Sequence, residues 1–344
     1  MKKVFSIMVC IAIIIASLSG CSGTSKATGG SAATNAAAEG GAAGADEKAA
    51  GDKITIGSVI MNTSGEWFSE VMQGMNAAGE DLGVKVNIVS SDNEVSKESD
   101  NVSTFIAQGA DALAICPLSA DASVAAVEAA KEAGLPVIAW NCTVNTEVDG
   151  FVGVSNYDLG KLTGEYVAQY VKDNYPEGCK LAILGNHSYE VGVERCNGFK
   201  EAIANVPGLE VVAEQDAEMQ DEGMDITEQI MTANPDVDIF WAWNQTSLLG
   251  CNAYMQNTGN KDIVIMGTDM SLELAKAMLG DDVKLQAITT QMPYDIGYNA
   301  IANAVKAYKK EEFEKNMLIE LKTYVRDDTA ELEKYVEDHK SLVE

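Results

Sequence analysis

From Lys53 onward, short β-branched runs alternate with windows whose apolar residues recur at helical spacing. Strands are predicted over 54–60, 84–89, 112–116 and 137–140, with helices over 67–82, 99–108 and 122–133 between them. Pro117 and Pro136 sit at strand edges, where a missing N–H costs little. After Phe151 the rhythm starts again. Helices are predicted over 159–171, 193–204, 225–233, 248–257 and 272–279, and strands over 180–184, 210–213, 237–241, 263–266 and 284–288. Such alternation implies parallel sheets covered by helices on both faces.

Two series in one chain predict two doubly wound α/β lobes, although a closed barrel of parallel strands has the same period. In open parallel sheets a ligand lies beyond the carboxyl ends of the strands. The polar residues directly after the strands are therefore the candidates: Asn141, Asn186, Asn244 and Asp269, with Gln291 near the last strand and Cys116 as a small member.

The chain ahead of this pattern reads differently. Lys2 and Lys3 precede a stretch over 4–16 that is apolar apart from Ser6, and Leu18-Ser19-Gly20-Cys21 then places two small residues before a cysteine. This is a signal peptide, too short to span a bilayer comfortably, and its last four residues resemble the bacterial lipobox, whose cysteine is acylated and becomes the new N-terminus. Residues 22–50 are almost wholly Ser, Gly, Ala, Thr and a few charges with no apolar period, which predicts a flexible tether over 21–52. Its length suits a Gram-positive cell surface.

The formal charge of −28 becomes −30 once Lys2 and Lys3 are removed. A field of that sign repels nucleic acid and anionic lipid, so lipid at Cys21 is the only expected membrane contact. Beyond Cys10 and Cys21 five cysteines remain (Cys116, Cys142, Cys179, Cys196 and Cys251). An odd number with no CxxC pair is neither a disulfide framework nor a zinc site. Two histidines, and the absence of GxSxG, P-loop and HExxH motifs, argue against an enzyme; no cofactor or metal is expected.

Several segments, taken in order, carry a resemblance. They are Lys53-Ile-Thr-Ile-Gly-Ser-Val-Ile with Glu66-Trp-Phe and Gly74, Gln108-Gly-Ala-Asp-Ala-Leu-Ala-Ile, Ala133-Gly-Leu-Pro-Val-Ile, and Val152-Gly-Val-Ser-Asn-Tyr-Asp-Leu-Gly. Glu194-Arg-Cys-Asn-Gly-Phe, Pro235-Asp-Val-Asp, Val264-Ile-Met-Gly-Thr-Asp and Thr290-Gln-Met-Pro-Tyr-Asp-Ile-Gly complete the set. Together the set resembles the ribose and galactose branch of type I periplasmic-binding proteins, the substrate receptors of sugar ABC importers. The resemblance implies two doubly wound parallel-sheet lobes joined by a three-crossing hinge near Ser155, Gln291 and Glu320. It places 53–155 with 292–319 in an N-terminal lobe and 156–291 with 320–344 in a C-terminal lobe, residues 327–344 being an added polar helix.

It also implies a site. Asp269 matches a carboxylate accepting from two sugar hydroxyls, Arg195 a guanidinium fork, and Asn244 and Gln291 amides that donate and accept. Trp67 and Phe68 match a pair that stacks on the ring. Each has an alternative: Asp269 or Asn244 as a helix cap, Arg195 or Gln291 as a surface residue, Trp67 and Phe68 as core. Where ribose receptors carry Asp-Arg after the fourth strand this chain has Asn141-Cys142, and Cys116 replaces an asparagine after the third. Met219 stands loosely at a phenylalanine position. These departures argue against ribose itself. Trp140, Trp241 and Trp243 near strand ends would make the pocket more apolar, and His187 falls on a loop beside it. Cys116 and Cys142 end adjacent strands, and the sequence leaves open whether they are pocket-lining thiols or a disulfide, which needs Cα atoms within about 7 Å. The expectation is a monomeric, lipid-anchored receptor on the extracytoplasmic face of the cell membrane. It would deliver a small sugar or polyol to ABC permease subunits, or else present a bound sugar, nucleoside or furanose signal to a membrane sensor.

Overall fold

The computed structural model describes residues 53–340. The expected signal peptide, Cys21 and the whole of the tether lie outside the described residues.

The first series builds one sheet from β1 (Thr55–Ile60), β2 (Lys85–Ser90), β3 (Ala112–Ile115), β4 (Val137–Trp140) and β5 (Gly150–Gly153). The second builds another from β6 (Cys179–Gly185), β7 (Leu209–Asp216), β8 (Ile239–Ala242), β9 (Val264–Thr268) and β10 (Lys284–Thr290). Two late strands, β11 (Asn316–Leu318) and β12 (Lys322–Val325), add to the first and second sheet respectively. The orders are β11-β5-β4-β3-β1-β2 and β12-β10-β9-β8-β6-β7, the same doubly wound pattern twice, with only β12 antiparallel. Two open sheets exclude a closed barrel, and β3, β4, β8 and β9 are buried along their whole length, as interior parallel strands require.

Helices α1 (Glu66–Leu82) and α9 (Pro293–Lys309) cover one face of the first sheet, and α2 (Val95–Ala107) and α3 (Val124–Glu132) the other. On the second sheet α4 (Asn156–Asn174) and α5 (Glu190–Ile203) cover one face. The opposite face takes α6 (Gln220–Ala233), α7 (Gln245–Thr258), α8 (Leu272–Leu279) and α10 (Thr329–His339). Local chemistry sets the ends. Ser155 Oγ accepts from Asp158 N–H to start α4 at 3.1 Å, Pro293 opens α9 where a missing N–H is harmless, and left-handed Gly83 and Gly259 close α1 and α7.

The sequence pattern stops at β10 and passes over β5, α9, β11 and β12. The strands among these are three or four residues long, too short for a period to show. The C-terminal helix also departs from its polar reading. Leu332 and Tyr335 are buried against α8 and β12, so α10 is a packed part of the second lobe.

The chain passes between the sheets three times, after β5, β10 and β11. Side chains also bridge the lobes. Glu66 Oε1 of α1 accepts Leu272 N–H at the start of α8 at 2.7 Å. Buried Glu70, one turn on, accepts from Tyr335 Oη at 3.3 Å and lies 3.4 Å from His339 Nε2. His339 stacks on Tyr335 with ring centroids 3.8 Å apart.

Candidate functional site

In both sheets the strand order reverses beside the first strand, between β1 and β3 and between β6 and β8, and a crevice opens at the carboxyl edge there. The candidates gather on these two edges. From the second lobe, α5 carries Arg195 inward, where it is 6% exposed. Its Nη1 donates to Asp269 Oδ2 at 2.7 Å and to Trp243 O at 3.0 Å, and its Nε donates to Asn156 Oδ1 at 2.9 Å. Gln291 Nε2 donates to the other oxygen, Asp269 Oδ1, at 2.7 Å. One buried carboxylate is thus held by a cation and an amide arriving from α5 and the end of β10.

This arrangement decides several alternatives. Asp269 is not a helix cap: Ser271 caps α8, accepting from Leu274 N–H at 3.2 Å. Asp269 instead adopts a left-handed conformation (φ 65°) after β9 that turns its side chain into the network. Asparagine and aspartate bear that conformation better than other side-chain-bearing residues. Asn244 does cap a helix. Its Oδ1 accepts from Ser247 N–H at 2.9 Å while its Nδ2 donates to Glu218 O at 3.1 Å, so both ends of the amide are engaged. Trp243 is buried, with Nε1 donating to Ala217 O at 2.7 Å and the Arg195 guanidinium 5.7 Å from its ring centre. Met219 is 52% exposed at the N-cap of α6.

Trp140 and Trp241 depart from the pocket reading. Both are fully buried in the cores, Trp241 stacked on Phe199 with centroids 4.0 Å apart. Residues of a strand alternate faces, and these two point into helix-covered faces instead of along the edge. His187 lies at the second-lobe edge as a half-exposed loop residue, its ring nitrogens 2.6 Å from Asp216 and 3.1 Å from Glu214.

The first lobe contributes a less polar wall. Trp67 and Phe68 open α1 and meet edge to face, centroids 5.0 Å apart, and the Trp67 indole N–H is buried without a partner among the described residues. After β4, Asn141 is again left-handed (φ 61°), and its Nδ2 reaches Cys142 Sγ at 3.6 Å and Cys116 Sγ at 3.9 Å. Both thiols are free, so the disulfide alternative is not the state present. The neighbouring Cys116 thiol lowers the Cys142 thiol below the ordinary range against the opposing effect of burial, and the Arg195 charge adds to it. Burial, then the Cys142 partner, pushes Cys116 well up. Because Arg195 belongs to the second lobe, this influence runs across the crevice.

Sequence reasoning missed Asn156, which fixes the Arg195 fork, and the Glu66 and Glu70 bridges. Asn156 follows the first crossing, so its place on the edge was the available signal. The bridges join residues 206 and 265 positions apart, with none. No group of three or more His, Cys, Asp or Glu among the described residues forms a metal-holding cluster, and no helix among them is long and apolar enough to cross a membrane.

A two-lobed α/β architecture with polar groups converging from both carboxyl edges defines a ligand-binding protein. The chain belongs to the periplasmic binding protein domain family, whose sequence profile matches residues 56–312. The ABC transporter periplasmic-binding protein YphF of Escherichia coli is 29% identical over 273 residues, 77% of this chain and 83% of the relative. The ribose import binding protein RbsB of Escherichia coli is 30% identical over 277 residues, 80% of this chain and 91% of the relative. Among solved structures, a galactofuranose binding protein superposes with a TM-score of 0.72 at 22% identity, covering 83% of this chain and 99% of that one. An Actinobacillus succinogenes solute binding protein with bound D-allose gives 0.73 at 22% identity, with coverage of 81% and 100%. The family and these relatives are substrate-binding proteins, and this chain is a binding protein, not an enzyme.

Proposed function

We propose that the chain is an extracytoplasmic solute-binding lipoprotein that captures one small sugar or polyol between its lobes and delivers it to an ABC importer. The observation that carries this is the buried Asp269 carboxylate. A carboxylate offers about four lone-pair sites, and Arg195 and Gln291 occupy two of them. The remainder suit the paired hydroxyls of a sugar. Arg195 Nη2, which makes no hydrogen bond among the described residues, is a matching donor. The sugar-import relatives support the same reading.

On this reading the two bodies that close are 53–155 with 292–319 and 156–291 with 320–344, hinged at the three crossings. The ligand's polar edge meets Asp269, Arg195 and Gln291, and Trp67 and Phe68 cover its ring face. Its far side meets Asn141 and the Cys142 thiol, with Cys116 buried behind them, so that weak donors and acceptors replace a charged pair. A ligand with fewer hydroxyls on that side than ribose presents loses nothing there, since no charged partner is left unpaired. Acylation at Cys21 anchors the protein as a monomer on the outer face of the membrane, consistent with a Gram-positive surface.

A thermal-shift screen of pentoses, hexoses, 6-deoxy sugars, polyols and nucleosides tests the proposal. A ligand at a thousand times its Kd stabilises the fold by about 4 kcal/mol. A sugar or polyol is expected to raise the melting temperature of the wild type and not of Asp269→Asn. A nucleoside hit with no response to any sugar would overturn the ligand class.

A further inference from the structure

We propose that Cys116 and Cys142 are a covalent modification site on the wall of the crevice, a thiol pair that low-molecular-weight disulfides convert reversibly into an intramolecular disulfide. The backbone brings the two together. Strands β3 and β4 pair with Ile115 opposite Ala139, so Cys116 emerges beside Trp140. The chain then reverses at Asn141, whose positive φ lets Cys142 N–H donate back to Trp140 O at 2.7 Å. This tight turn swings Cys142 toward Cys116, and one amide nitrogen lies within 3.9 Å of both sulfurs.

The two thiols are also unequal in the way stepwise exchange needs. Cys142 is partly accessible and faces the Arg195 charge, while Cys116 is fully buried behind it. An accessible sulfur with thiolate character is the one that attacks, and its buried neighbour is the one that resolves. The Cys142 thiolate attacks one sulfur of R–S–S–R, forming a mixed disulfide and releasing RS⁻, which takes up the proton that Cys142 lost. Cys116 then gives up its proton and attacks Cys142 Sγ, releasing the second RSH. Two protein thiols are oxidised and one external disulfide is reduced to two thiols. The other described cysteines are placed to stay out of this chemistry. Cys179, Cys196 and Cys251 sit in the second-lobe cores, and burial pushes the Cys179 and Cys251 thiols up to about 12. Oxidation would remove the Cys142 S–H from the first-lobe wall and tie it to Cys116 behind, so solute capture would become dependent on the thiol–disulfide state of the surroundings.

The test uses the full folded chain with oxidised glutathione as probe, and peptide mapping scores Cys10 and Cys21 separately. A Cys116–Cys142 cross-link is expected in the wild type, reversed by dithiothreitol, with Cys179, Cys196 and Cys251 unmodified. Cys116→Ser is expected to stop at a glutathione adduct on Cys142, and Cys142→Ser to form adducts on Cys116 at least about ten-fold more slowly. Two free thiols at equilibrium in excess oxidised glutathione would overturn the proposal, as would preferential modification of the core cysteines. The wild-type cross-link is read by mass alone, so a variant that fails to fold does not remove the test. The result also stands apart from the sugar reading: a chain that cross-links but binds no sugar keeps this inference and loses the other.

Discussion

Helices α4 and α5 cross at glycines, and that crossing positions Arg195. A Cβ on Gly160 would lie 1.9 Å from Arg195 O, and one on Gly198 would lie 2.0 Å from Tyr157 O. Both obstacles are backbone, so no side chain can swing aside. Carbon and carbonyl oxygen rest at about 3.3 Å, so Gly160→Ala must separate the helices locally by roughly 1.4 Å. The guanidinium hydrogen bonds to Asp269 and Trp243 O, 2.7 and 3.0 Å long, would then stretch toward about 4 Å, beyond hydrogen-bonding distance. Overpacking alone costs about 1–3 kcal/mol, and a buried ion pair pulled apart adds to it, so a loss of about 2–5 kcal/mol is expected. Urea melts read the stability and calorimetry reads the affinity for whichever solute the thermal screen finds. Gly280→Ala is the control. Its nearest non-neighbouring atom would be 3.6 Å from the new Cβ and its φ of −86° suits alanine, so its urea midpoint should match the wild type. A Gly160→Ala protein with wild-type midpoint and affinity would refute the claim that this crossing sets the Arg195 position.

Asp269→Asn should abolish solute binding and cost about 3–5 kcal/mol by leaving Arg195 buried without a counter-charge. Asp269→Ala should cost a further increment because alanine tolerates φ 65° poorly; unchanged affinity in calorimetry for the asparagine variant would remove Asp269 from the site. The bridge from α10 to α1 predicts a pH dependence. Burial acts to lower the His339 pKa, but the hydrogen bond and charge of Glu70, with Tyr335 O and Glu66 behind them, outweigh it and leave it raised. A raised imidazole contributes stability that is fully present below its unfolded value of about 6.5 and is lost as pH rises through the folded value. The wild type should therefore lose melting temperature relative to His339→Gln as pH rises above about 6.5, and parallel pH profiles would count against the bridge. Cells fed labelled palmitate should label the wild type and not Cys21→Ser; equal labelling would place the lipid elsewhere.

The candidate site was legible where residue type and strand end coincide. Asp269, Gln291 and Asn141 stand immediately after apolar runs, and the parallel-sheet rule sends such residues to the ligand edge. Arg195 was less legible, since it lies inside a helix and only its place before Gly198 and Phe199 in a recognised order marked it. Asn244 kept two readings because the same backbone position serves a cap and an edge, and in the fold it caps. Trp140 and Trp241 misled because adjacency to a strand end does not fix which face a side chain takes.

By itself the sequence determined the repeating α/β units and the two series, because both follow from local apolar periods that a short segment already contains. It also determined the separate character of the first 52 residues, which lack such a period. Tertiary structure alone decided the rest: the Arg195–Asp269–Gln291 network, the Glu66 and Glu70 bridges and the meeting of Cys116 with Cys142. Each of these depends on the separation and register of elements distant in the chain. A backbone crossing through glycine or a left-handed turn after a strand settles such positions to within an ångström, and no local pattern encodes that distance.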